Sequence, residues 1–120
     1  MAASLYEHYG GFAIASRIVM AFYDKVLDSD VLAAYFEDTD MRRLVDHQTK
    51  FVTSLMGGPA SYTDEMLRQI HQRLAIDDAS FDEMARLFRA TLETFAMEPE
   101  HVEALVSEIT SRRDLIVTVK

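Results

Sequence analysis

The chain has 120 residues, no cysteine and a formal net charge of −8 at pH 7. That length suits one domain over 1–120 with its own hydrophobic core. The missing cysteines exclude disulfides, zinc ribbons and thiol catalysis, and the acidic balance disfavours nucleic-acid phosphates and anionic lipid heads as partners. No apolar run reaches the roughly 18 residues of a membrane span. The opening Met1-Ala2-Ala3-Ser4 lacks the basic and apolar stretches of a signal peptide, so the expected location is the cytoplasm.

Helix signals run through the whole chain, and its two prolines and four glycines fall where helices should end. Ser4 to Glu7 spells a capping box for a short first helix, which Gly10-Gly11 closes. Ile14, Ile18, Val19, Phe22, Val26 and Leu27 recur at helical spacing. Asp28-Ser29-Asp30 breaks that helix, and Asp30 is placed to cap a short turn reaching Phe36. Asp40 caps a helix whose apolar face carries Met41, Leu44, Val45, Phe51, Val52 and Leu55, stopped by Gly57-Gly58-Pro59.

Residues 60–63 read as loop. A shorter helix follows with Met66, Leu67, Ile70 and Leu74 on one side. A second capping box, Ser80 to Glu83, is expected to open the helix bearing Phe81, Met84, Phe88, Leu92 and Phe95. Pro99 suits the first turn of the last long helix, striped by Val102, Leu105, Val106 and Ile109. Leu115 to Val119 is rich in β-branched residues but has no evident strand partner. The expectation is an all-α domain of four substantial helices and several short ones.

Polar residues on apolar faces need a reason, because a buried polar group needs a partner. Gln48 lies four after Leu44 and three before Phe51, and His71 lies four after Leu67. His71 reads either as a core histidine bonded to a carbonyl or as a metal ligand, since one neutral imidazole can hold a haem iron. No HExxH motif, histidine pair at helical spacing or carboxylate cluster accompanies it, which leaves a stand-alone zinc or di-iron site with little support. Gln48 reads as an amide reaching water or as a donor aimed into a cavity. Tyr23, beside Phe22, reads as a core residue with a wet tip or as a second such donor. No nucleophile triad, phosphate loop or nucleotide fingerprint is present.

These residues recur together in one known family. From Ser4-Leu5-Tyr6-Glu7 and Gly10-Gly11, through Phe22-Tyr23, Tyr35-Phe36, Asp40-Met41, His47-Gln48 with Phe51, Gly57-Gly58-Pro59 and Tyr62-Thr63, to the 66–76 segment with His71, the chain resembles the group I truncated haemoglobins. The resemblance implies a truncated globin, a two-over-two helical sandwich around haem b held non-covalently. It implies His71 as the proximal iron ligand, with Phe36, Leu44, His47, Phe51, Tyr62, Met66 and Leu74 around the haem. Tyr23 and Gln48 fall at the distal positions that hydrogen-bond a bound ligand, with Leu44 and His47 beside them.

His47 has two readings, a second iron ligand on the distal side or an exposed histidine near a haem propionate. Ser111 stands where some cyanobacterial members carry a histidine bonded covalently to haem, and Asp64 stands where the family often has glycine.

The function implied is reversible binding of dioxygen, with carbon monoxide and nitric oxide as further ligands, for oxygen transport or storage. The same distal residues also serve an alternative, nitric oxide dioxygenase or redox chemistry with a reductase, and the absence of the long N-terminal extension of some members counts against fast dioxygenase turnover. A third reading is a haem-free helical interaction module. A monomer or weak dimer is expected.

Overall fold

The computed structural model describes residues 4–58, 65, 68, 71 and 74–118. Helix α1 (Leu5–Tyr9) starts where Ser4 Oγ accepts the Glu7 N–H at 3.2 Å, meeting one of the donors that a helix start leaves open. It ends at Gly10, whose φ of 111° lies in the left-handed region that a side chain disfavours. Gly11, at φ 75°, then leads into α2 (Phe12–Leu27).

Helix α2 buries Ala15, Ile18, Val19, Phe22, Tyr23 and Val26, the i, i+3, i+4, i+7 series of one helical face. Leu27, expected on that stripe, is exposed at the helix end. A 3-10 turn covers Ala33–Phe36. The approach to it is fastened by Ser29 rather than Asp30. Ser29 Oγ accepts the Leu32 N–H at 3.3 Å and its carbonyl accepts the Ala33 N–H at 2.9 Å. The Ser29 hydroxyl also reaches Glu83, which holds it over this turn.

Helix α3 (Met41–Leu55) is capped by Asp40, as the sequence predicts, with Oδ1 accepting the Arg43 N–H at 3.3 Å. Helix α4 (Asp78–Thr94) begins earlier than Ser80. Asp77 is its N-cap and accepts the Ser80 N–H at 2.8 Å. Ser80 thus lies inside the first turn, and its own hydroxyl meets the Tyr35 hydroxyl at 3.1 Å. Helix α5 (Pro99–Thr110) has Pro99 in its first turn as expected, and α6 (Arg113–Ile116) is a single turn. The tail beyond α6 does find a partner: the Thr118 N–H donates to the Ile76 carbonyl at 2.9 Å. Between α3 and α4, Glu65, Arg68 and His71 are helical. The loop expected at 60–63 and the apolar residues Met66, Leu67 and Ile70 lie outside the described residues.

Helix α2 packs on α3 and on α4, and α4 packs on α5. The buried apolar residues form one cluster, from Ala15 and Ile18 on α2 through Phe51 and Val52 on α3, Phe88 and Leu92 on α4, to Leu105 and Val106 on α5. The chain is therefore all-α, with α2 and α3 set against α4 and α5. Among the described residues there is no β-strand, and no helix is long and apolar enough to cross a membrane.

Two local features lend themselves to measurement. Helix α1 is tied to the end of α3, with the Tyr6 N–H donating to the Met56 carbonyl at 2.9 Å, and α3 is itself closed by the Gly58 N–H donating to the Thr53 carbonyl at 2.9 Å. A Cβ on Gly58 would lie 2.5 Å from Thr53 Cγ2 and 2.7 Å from Tyr6 Cδ1. Gly58→Ala should therefore destabilise the protein by about 1–3 kcal/mol through overpacking, read as a lower Tm in thermal unfolding. The second feature is the α4 cap. The Ser80 N–H holds the Asp77 carboxyl below its ordinary 3.8. A folded-state pKa below the unfolded one gives stability that is complete above pH 3.8 and lost as pH falls through the folded value. Asp77→Asn keeps a cap acceptor but cannot take up that proton, so its Tm should fall less steeply on acidification than that of the parent chain.

Candidate functional site

A cavity opens between the two helical layers. Its walls come from Val19, Phe22, Tyr23 and Val26 on α2, Tyr35 and Phe36 on the 3-10 turn, and Leu44, Gln48, Phe51 and Val52 on α3. His71, Leu74 and Ile76 contribute from the stretch before α4. Ser80, Phe81, Met84 and Phe88 on α4, Ile109 on α5 and Ile116 on α6 complete the lining. The space between these walls is about 1100 Å³, counting solvent at its open side.

The local sequence explains these placements. Phe22 and Tyr23 are adjacent on α2, and a helix turns 100° per residue, so both fit within one broad apolar face. Phe22 packs edge-on against Phe88 of α4 at 5.7 Å between ring centres, and Tyr23 packs edge-on against Phe36 at 5.7 Å. The two rings are themselves 5.0 Å apart. These edge-to-face contacts hold the Tyr23 ring by its apolar body. On α3, Leu44, Gln48 and Phe51 follow i, i+4, i+7 spacing and line one wall together.

The cavity is apolar apart from a few groups. Tyr35 and Ser80 satisfy one another at 3.1 Å. Neither the Tyr23 hydroxyl nor the Gln48 amide has a hydrogen-bond partner among the described residues. Tyr23 is 9% exposed, and burial pushes its phenol well above the ordinary tyrosine range. It therefore keeps its proton and remains a donor. The His71 imidazole, half-buried, stands on the wall of the same cavity.

Of the residues singled out from sequence, Tyr23, Phe36, Leu44, Gln48, Phe51, His71 and Leu74 meet at this one cavity. His47 does not line it and is exposed on α3. Tyr62 and Met66 lie outside the described residues. Sequence reasoning missed Tyr35 and Ser80 as a wall pair. It also missed Ile76 and Ile116, which no local pattern marks, although the β-branched character of the tail was a signal for Ile116.

The sequence model of the bacterial-like globin family matches residues 4–118. The group 1 truncated haemoglobin of Mycolicibacterium paratuberculosis is 30% identical over 97% of this chain and 85% of its own length. The crystal structure of truncated haemoglobin from Tetrahymena pyriformis in its Fe(III) form superposes with a TM-score of 0.87 at 27% identity, covering 96% of this chain and 98% of that one. A two-over-two haemoglobin from a Synechococcus species, in its cyanomet state with covalently attached haem, gives a TM-score of 0.84 at 30% identity, covering 95% of this chain and 98% of that one. The chain belongs to the bacterial-like globins, with group 1 truncated haemoglobins as its relatives and ligand binding at haem as the class of function that this membership implies.

Proposed function

We propose that the cavity holds haem b non-covalently through the His71 imidazole, and that Tyr23 and Gln48 hydrogen-bond a diatomic gas there, dioxygen foremost. The observation that carries this reading is the meeting, on the walls of one apolar cavity, of one imidazole and two polar side chains without a hydrogen-bond partner among the described residues. A polar ligand inside the cavity gives the Tyr23 hydroxyl a partner, and a flat apolar macrocycle suits walls made of Phe36, Leu44, Phe51, Leu74 and Phe88.

Iron in a haem supplies the position where the gas attaches and lends it electron density. The chain's own residues do the rest. His71 offers a neutral ring nitrogen to the metal. The Tyr23 hydroxyl, kept protonated by burial, donates to the charge on the ligand, and Gln48 adds an amide donor. The apolar lining lowers the local dielectric around both bonds, which strengthens them. Carbon monoxide gathers less charge than dioxygen and gains less from them. His47, exposed and away from the cavity wall, is left out of the ligand set, so His71 is the one protein ligand assigned to the iron. Ser111 is exposed at the end of α5 and offers no imidazole for a covalent link.

Reconstitution with haem tests the assignment. His71→Ala should lose tight haem uptake or alter the ferric and ferrous visible spectra. Uptake with an unchanged spectrum would remove His71 from the iron. Tyr23→Phe deletes only the hydroxyl. A hydrogen bond to a charged acceptor is worth about 1.5–3 kcal/mol, and about 1.4 kcal/mol is a factor of ten, so dioxygen release in stopped flow should quicken by about tenfold or more. Carbon monoxide release should change much less. Equal rates for parent and variant would take Tyr23 out of the distal contact.

A further inference from the structure

A second constellation lies where α1 ends and α5 begins, and none of its members lines the cavity. His8, Glu98 and His101 each present a ligating atom there, a ring nitrogen from each histidine and a carboxylate oxygen from Glu98, and these atoms all lie within 4.8 Å of one another. Tyr9 ties the group together. Its hydroxyl bonds His101 Nδ1 at 2.6 Å and accepts the Glu98 N–H at 3.1 Å. The Glu98 carboxylate lies 3.3 Å from the same Nδ1. The His8 ring meets Tyr9 edge-on at 4.7 Å and His101 at 5.7 Å between centres.

We propose that His8, Glu98 and His101 form a surface site for a divalent transition cation of the zinc class, distinct from the cavity. Two imidazoles with one carboxylate are a borderline donor set that zinc accepts, whereas calcium and magnesium take oxygen ligands. Zinc bonds of about 2.0–2.2 Å set tetrahedral ligand atoms about 3.4 Å apart, so atoms within 4.8 Å of one another close by at most about 1.4 Å on binding. His8 and Glu98 are exposed and free to make that move by changing rotamer.

Tyr9 is the positioning residue: its hydroxyl occupies His101 Nδ1, which leaves Nε2 for the cation, and it fastens the backbone of Glu98. Partners of this kind sharpen a site by holding its ligands in place. Three protein ligands leave a fourth position for water or for a side chain of another molecule. The chain's net charge of −8 adds a general attraction for cations.

Zinc titrated calorimetrically into the full chain is the test. One zinc should bind per chain and raise Tm. His8→Ala and His101→Ala should each weaken binding at least about tenfold, and the double variant should lose it. Tyr9→Phe should weaken it by about 10–100-fold, the range for loss of an orienting partner, while leaving the stoichiometry intact. Glu98→Gln removes an exposed carboxylate and carries the same test should either histidine variant lose helicity. His47→Ala should bind zinc as the parent does. Absence of saturable uptake would overturn the assignment, as would uptake that survives the double variant or disappears with His47.

Discussion

The burial of one face of α2 against both α3 and α4 is the constraint on which the rest depends. Ala15 and Ile18 are fully buried in that face, with Val19 and Val26 nearly so. Burying a side chain of the valine or isoleucine class contributes about 1.5–3 kcal/mol, so this stripe alone sets where α2 lies between its two neighbours. Tyr23 shares the face and has no independent choice of position. Its ring is held by Phe22 and Phe36, and its hydroxyl goes where the packing of α2 sends it. A site built this way is stiff because its functional atom hangs from core aromatics rather than from a loop.

Burial drives the Tyr23 phenol to hold its proton, so its hydroxyl stays a donor. An apolar lining strengthens any hydrogen bond that this hydroxyl makes. Tyr35 and Ser80 show the contrast on the same wall, satisfying each other and leaving no donor to spare. Within one cavity some polar groups satisfy each other, and others have no hydrogen-bond partner among the described residues.

The charges of this acidic chain lie mostly at the surface and do different work. Arg113 bonds Asp78 and Asp82 and lies over the Phe81 ring at 4.5 Å, joining α6 to α4 beside the cavity wall. Arg89 bonds Glu103, joining α4 to α5. Exposed pairs of this sort contribute little each, and their value here lies in the register they give to neighbouring helices. Tyr9 plays a similar joining part between α1 and α5, through hydrogen bonds of its hydroxyl to His101 and to the Glu98 N–H.

Helical periodicity, caps and breaks were legible in the chain itself, because they depend on neighbours within four residues. Asp40 caps α3 and Pro99 opens α5 as the local pattern requires. The apolar stripes of α2, α3, α4 and α5 became the core, and Tyr23, Gln48 and His71, marked as polar intruders on apolar faces, all reached the cavity wall. The cap of α4 was misplaced by three residues: Asp77 and Ser80 are both good caps locally, and in the fold Asp77 takes the cap while the Ser80 hydroxyl meets Tyr35. The return of the tail to Ile76 and the meeting of His8 with His101 had no local sign. Sequence decides what short-range spacing can encode: helix, cap, stripe and the residue types of the site. Contacts between residues far apart in the chain were decided only when α1 docked beside α5 and α6 beside α4, because such pairings arise from packing whole elements and leave no periodic trace in either partner.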